Sequence, residues 1–201
     1  ATLTCAASAV SLGSGVTSGY ALIVEIGGTF IGGSGAHTMG SFKVGANNAN
    51  AKATLTDDVT TIDSEVTGEN KAFRIAGSSA GFDDGNGTVT FTCPETTLLQ
   101  TSTKPLYNLI INNADAVIKI DGNLTVAQDL TITAGKLSNN TSGDTLTVDR
   151  DVNVTGTLEC TDSQAYTLGS LQIGDGGEYI ATSGITTLTN KRSETSVPYQ
   201  L

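Results

Sequence analysis

The stretch Gly122-Asn123-Leu124-Thr125-Val126-Ala127-Gln128-Asp129-Leu130-Thr131-Ile132-Thr133-Ala134-Gly135-Lys136-Leu137 decides the fold. Leu124 and Val126, then Leu130 and Ile132, alternate with polar residues, mostly Thr. A period of two puts the apolar pair on one side of a strand and the hydroxyls on the other. The same pattern returns at Thr145-Leu146-Thr147-Val148 and at Asp151-Val152-Asn153-Val154, with Gly, Asn and Asp as punctuation.

The spacing also repeats. Gly135-Lys136-Leu137, Gly156-Thr157-Leu158 and Gly177-Glu178-Tyr179 follow one another at 21 residues, and Leu109 precedes Leu130 by 21. Leu130 to Val152, Leu124 to Leu146 and Leu146 to Leu168 are steps of 22. A unit this short, with two or three four-residue strands and no amphipathic helix, cannot close a core alone and must stack on its neighbours. The pattern predicts an all-β chain with a parallel β-helix, or β-solenoid, over residues 85–189. Inward Leu, Ile and Val then form ladders, and each coil pairs its backbone with the next at a spacing of about 4.8 Å. Gly fits the corners, where the chain needs positive φ or close backbone approach. Asn and Asp are expected at corners because they tolerate left-handed conformations.

Outward from this region the pattern loosens. Residues 1–84 hold strand-like pieces at Leu22 to Ile26, Thr29 to Ile31, Phe42 to Val44, Ala53 to Thr56, Val59 to Ile62 and Phe73 to Ile75. Gly28-Thr29-Phe30 and Gly40-Ser41-Phe42 echo the later corners, so irregular early coils of the same solenoid are expected. A small β-sandwich is the alternative, with its junction at Gly77 to Gly87. Residues 190–201, with Lys191-Arg192 and Pro198, read as a linker or truncated continuation.

Composition agrees with thin strand layers. The 201 residues include 24 Gly, 3 Pro and no Trp, with 5% aromatic residues. Small β-branched side chains must therefore fill the interior. The net charge of −10 would repel a polyanion such as DNA, which disfavours nucleic-acid binding. No apolar run approaches the roughly eighteen residues of a membrane span. The longest, Ala21-Leu22-Ile23-Val24, ends at Glu25 and Gly27-Gly28 and reads as a buried strand. An opening of Ala1-Thr2-Leu3, without Met or a secretory signal, leads us to expect a processed chain or a piece of a longer product.

Candidates for chemistry are few. His37, the single histidine, sits in a Gly-rich joint without an identifiable acid or nucleophile. Asp57-Asp58 and Asp83-Asp84 are paired carboxylates of the kind that cleave glycosidic bonds, but strand neighbours point to opposite faces and turns favour Asp anyway. Asp129 and Asp151 take equivalent places in successive coils, with Asn108 before them. Two carboxylates about 5 Å apart repel by only about 1 kcal/mol in water, which needs no cation. Asp83-Asp84-Gly85-Asn86-Gly87 lacks the final Glu of an EF-hand loop. Gly13-Ser14-Gly15 and Gly32-Gly33-Ser34-Gly35 lack the Lys-Ser/Thr and the helix of a phosphate loop. The sequons at Asn123 and Asn153 fall within predicted strands. Cys5, Cys93 and Cys160 form no zinc-binding pattern and read as buried free thiols, with one long-range bridge as the alternative. No catalytic, cofactor-binding or metal-ligating set is expected.

Three runs carry a resemblance: Gly87-Thr88-Val89-Thr90-Phe91; Leu106-Tyr107-Asn108-Leu109-Ile110-Ile111-Asn112-Asn113; and Gly122 to Leu137. They resemble the β-helical coils of bacteriophage tail fibres and other virion surface proteins, and similar coils in bacterial surface adhesins. The resemblance implies a non-enzymatic virion structural protein: a fibre, spike or capsid-attached appendage on the virion surface. Its expected partners are other virion subunits or copies of itself, with a host-surface polysaccharide as a further one, and neither nucleic acid nor membrane insertion. The alternatives are a bacterial secreted or cell-surface adhesin or filament segment, and a β-helix enzyme that degrades polysaccharide.

Overall fold

A computed structural model describes residues 1–13, 19–45, 50–64, 71–77, 81–160 and 165–191. Most of Gly13-Ser14-Gly15, part of Gly77 to Gly87 and nearly all of the tail from 190 lie outside the described residues. The chain is a β-solenoid of about seven turns whose strands pair in parallel. Among the described residues there is no helix, so none is long and apolar enough to cross a membrane.

Each coil contributes to three faces. The first face stacks Thr2–Thr4, Thr29–Ile31, Lys52–Thr54 and Gly81–Asp83, then Asn123–Val126, Thr145–Val148, Ala165–Leu168 and Ile185–Leu188. The two groups are separate sheets, and among the described residues an isolated bridge, Leu106 to Val126, adds to the start of the second. Pro105 has no N–H to give a ladder, and Ser102 and Thr103 turn the chain at φ 47° and 72°. The second face stacks Val10–Leu12, His37–Met39, Val59–Ile62 and Thr88–Phe91. It continues through the first halves of Asn108–Ile120 and Leu130–Asn139 to Val152–Val154 and Gln172–Ile173. The third stacks Leu22–Val24, Phe42–Val44, Lys71–Ile75 and Thr96–Gln100, then the second halves of the two long strands, then Thr157–Cys160 and Glu178–Ala181.

The second face runs unbroken from Val10 to Ile173, so the irregular first eighty residues pair directly onto the regular coils. Gly81–Asp83, inside the expected junction, pairs with Lys52–Thr54. Coil size sets core chemistry. Paired residues lie up to 31 apart in the early coils (Phe42 to Phe73), against 19 to 22 from Thr88 onward. The wide coils hold four of the five Phe, with Phe42 and Phe73 centroids 5.1 Å apart and Phe82 edge-on to Phe73 at 5.9 Å, and Phe91 lies on the strand where the coils narrow. The narrow coils close on Leu109, Ile111, Leu130, Ile132, Val152 and Val154, each at most 1% exposed.

Three expectations need correction. Leu146 pairs with Tyr166, not Leu168, which continues the column of Val126 and Val148 instead. One residue fewer separates Val154 from Thr157 than Ile132 from Lys136, and one fewer separates Cys160 from Ala165 than Asn139 from Thr145. The step on the first face therefore falls from 22 to 20. Leu22–Val24 is an edge strand rather than a buried one, because no rung covers it: Ile23 is 43% exposed. No described Asp takes a left-handed conformation; Asn86 and Asn190 do.

The corner glycines divide by reason. Gly135 has φ 82°, whereas Gly156 has no positive φ and is required by space. A Cβ on Gly156 would stand 2.9 Å from Ile132 Cγ2 and 2.5 Å from the Gly135 carbonyl oxygen. Gly156→Val is expected to destabilise the fold by about 2–3 kcal/mol. A urea midpoint equal to the parent's would remove the close-approach argument.

Candidate functional site

His37 lies in the strand His37–Met39 and is 1% exposed, not in an open joint. Its Nδ1 accepts the Val10 N–H at 3.1 Å and its Nε2 donates to the Gly32 carbonyl at 2.7 Å. Both ring nitrogens are occupied, so the imidazole orders the first two coils and holds no lone pair toward a substrate. Gly32-Gly33-Ser34-Gly35 packs on the preceding coil: the Ser34 N–H donates to Ala6 O, and a Cβ on Gly33 would collide with the Cys5 and Ala6 carbonyls. Cys5, Cys93 and Cys160 are buried and form no disulfide, and burial pushes the Cys160 thiol up, away from the reactive thiolate.

The Asp83-Asp84 doublet builds a turn. Asp83 and Asp84 accept the N–H groups of Gly85 and Asn86 at 3.0 and 3.1 Å, which closes a corner where Asn86 has φ 61°. The Asp58 N–H is held by Thr56 Oγ1 at 3.1 Å. Burial raises the Asp84 carboxyl, and neighbouring Asp83 adds to this, partly offset by donated N–H bonds from Asn86 and Tyr107.

Asn108, Asp129 and Asp151 do form a column. Asn108 Oδ1 accepts the Asp129 N–H at 3.2 Å and Asp129 Oδ1 accepts the Asp151 N–H at 3.1 Å. The column ends at Ser170, whose hydroxyl donates to Asp151 Oδ1 at 2.7 Å. Each side chain thus caps the corner of the next rung, a use that needs no metal. Among the described residues, no three His, Cys, Asp or Glu side chains converge as a metal-holding group.

Sequence reasoning missed Asp144, which is 5% exposed. Its carboxylate accepts the Gly122, Asn140 and Thr141 N–H groups at 2.8, 3.1 and 2.6 Å and the Thr141 hydroxyl at 3.1 Å. The signal was Asn140-Thr141-Ser142-Gly143-Asp144, a polar corner whose last residue reaches back.

A second feature was also missed: cations gather on one face. Lys43, Lys71, Arg74, Lys119 and Lys136, five of the ten Lys and Arg, lie on strands of the third face. First-face strands carry only Lys52, and second-face strands carry none. A bulge between Lys71 and Phe73 buries both Ala72 and Phe73 while Lys71 and Arg74 stay partly exposed. Lys71 Nζ reaches Asp121 at 2.6 Å, Arg74 Nε donates to Gln100 at 3.1 Å, and Lys136 Nζ reaches Glu159 at 2.9 Å. The Lys119 side chain makes no hydrogen bond or ion pair among the described residues, and Lys119 lines a groove of about 150 Å³ with Thr96, Thr97, Leu98 and Asn140.

The chain matches no protein-family profile, no curated protein and no solved structure.

Two outcomes follow from the corners. Asp129→Ala strands the Asp151 N–H and is expected to cost about 1–2 kcal/mol in chemical denaturation, whereas Asp129→Asn keeps the acceptor and should stay close to the parent. Equal losses would show that the column carries no bond. Asp84 is held above its ordinary value, so its contribution to stability is fullest at low pH and is lost as pH rises through the folded value. Asp84→Asn should accordingly raise the melting temperature at neutral pH, with the difference closing by about pH 3. A gap that widens in acid would contradict the burial argument.

Proposed function

We propose that this chain is a non-enzymatic structural segment of a bacteriophage virion, a fibre, spike or capsid-attached appendage. In it a rigid solenoid joins neighbouring subunits through its ends and turns a flank toward the host surface. The observation that carries the joining role is the state of the two end rungs. Leu3 and Ile23 on the first are 47% and 43% exposed, and Ile173, Ile185 and Leu188 on the last are 49%, 71% and 57% exposed. Among the described residues, each end rung has a strand neighbour on one side only. At the first end, Leu3, Leu22, Val24 and Phe30 line a groove of about 270 Å³.

Isolated sheets usually blunt such edges with Lys, Pro or a covering loop. Here neither residues 1–26 nor residues 165–188 contain a Lys or Arg. An apolar edge without Lys or Arg suits strand addition by a neighbouring chain. The virion setting itself is supported by the likeness of the coils around Leu106 to Asn113 and Gly122 to Leu137 to phage fibre coils. The bacterial adhesin is the second reading, since it shares those coils.

Two measurements test this. Light scattering of residues 1–201 should show concentration-dependent association that Ile185→Lys with Leu188→Lys reduces; a monomer at high concentration would end the joining role. In density-gradient fractions of the source material, an antibody against the chain should follow virus particles. Recovery with the cell envelope instead would replace the virion by the adhesin.

A further inference from the structure

We propose that a second copy of this chain seats its first rung on the last rung of the copy before it, head to tail and advanced by one face, so that one solenoid runs on from chain to chain. This rests on the reading that the ends join neighbouring subunits, and it names the partner, the polarity and the register.

Strand direction decides the polarity. Every described strand pairing at the two ends is parallel. Two like ends meeting about a two-fold axis across the solenoid would run their strands antiparallel, and would set only one face against itself while exchanging the other two. Head to tail, the contact repeats the rung-to-rung pairing that already joins the coils within the chain.

The register follows from where the strands stop. The first described strand, Thr2–Thr4, and the last, Ile185–Leu188, both lie on the first face. In a spiral that rises about 4.8 Å per turn, the position after Ile185–Leu188 is over Gln172–Ile173 on the second face. A copy set first face on first face collides: once Val10–Leu12 sits one rung above Gln172–Ile173, Thr2–Thr4 falls level with Ile185–Leu188. Advanced by one face, Thr2–Thr4 lies on Gln172–Ile173, Val10–Leu12 on Glu178–Ala181 and Leu22–Val24 on Ile185–Leu188. The last coil accepts this advance because its strands begin at Ala165, Gln172, Glu178 and Ile185, seven, six and seven residues apart, a nearly equal-sided turn.

The side chains fit the same register. Gln172–Ile173 turns one apolar residue inward, Ile173, and Thr2–Thr4 also turns in one, Leu3; they are 49% and 47% exposed. The other two contacts set pairs on pairs: Val10 and Leu12 over Tyr179 and Ala181, and Leu22 and Val24 over Thr186 and Leu188. Face on face, each single residue would meet a pair instead. Charge agrees. Glu25 follows Leu22–Val24 and Lys191 stands at the corner after Ile185–Leu188, so the advance brings opposite charges to one corner.

Sedimentation equilibrium of residues 1–201 tests this with two variants of parental melting temperature. Leu3→Lys with Ile23→Lys blocks the first end, and Ile185→Lys with Leu188→Lys blocks the last. The parent's mass should climb with concentration past that of a dimer, each variant alone should stay at the mass of one chain, and their equal mixture should give a dimer and nothing larger. Association of either variant alone, or a mixture that stays monomeric beside an associating parent, overturns head-to-tail stacking and leaves the joining role standing. A monomeric parent, the result if residues 192–201 take the last rung for themselves, ends both. The register has its own check at exposed positions: Glu25→Lys and Lys191→Glu should each weaken association about threefold, and both together in one chain should restore it. No loss, or losses that add, overturns the advance by one face.

Discussion

One interaction governs this molecule: the hydrogen bond from each rung to the next, which fixes the rise at about 4.8 Å and forces side chains into columns. A column repeats one environment, so a residue that suits one rung suits its neighbours. Strand backbones pair along all three faces, and the corners follow the same rule with side chains. Asn108, Asp129 and Asp151 each hold the next corner, and Asp144 gathers three N–H groups and a hydroxyl. Among the described residues, Thr60 Oγ1 is the one buried side-chain oxygen or nitrogen without a partner. It stands beside His37, the other polar residue of that inward column. Polar atoms inside a stack are costly unless bonded, and this chain meets nearly all of them.

That rule sorts residues by position rather than by type. Inward positions take Leu, Ile and Val where coils are short and Phe where they are long. Corner positions take Gly where backbones meet closely, as at Gly156, and Asp where an N–H needs an acceptor. Asp84, Asp129 and Asp144 are placed this way, outside strands, so part of the acidic composition serves the stack.

The same sorting explains what the sequence shows. Period-two pairs and a step of 21 to 22 residues are direct images of the pleat and the rise, so Leu109, Leu130 and Val152 could be placed in one column from numbering alone. Leu168 could not, because small deletions at two corners shift the register by two without disturbing the local pattern. His37 looked like a joint residue because its strand is three residues long beside a Gly-rich turn. The cation face was hidden for another reason. Lys43, Lys71, Lys119 and Lys136 are scattered in sequence, and only the differing lengths of the early coils bring them to one side.

That face runs against the economy of the rest. Two like charges about 5 Å apart in water repel by about 1 kcal/mol, so gathering cations on neighbouring rungs opposes folding. Asp121 and Glu159 relieve Lys71 and Lys136, and Gln100 accepts a hydrogen bond from Arg74. Lys119 gains no such relief among the described residues. The inward and corner positions are fully used in holding the stack, so recognition is left to outward strand positions. There the fold accepts Thr as readily as Lys, as the second face demonstrates with Thr38, Thr61, Thr90 and Thr131. Where Lys replaces Thr there, it can serve the stack itself, as Lys71 and Lys136 do by tying their rungs to Asp121 and Glu159 on others.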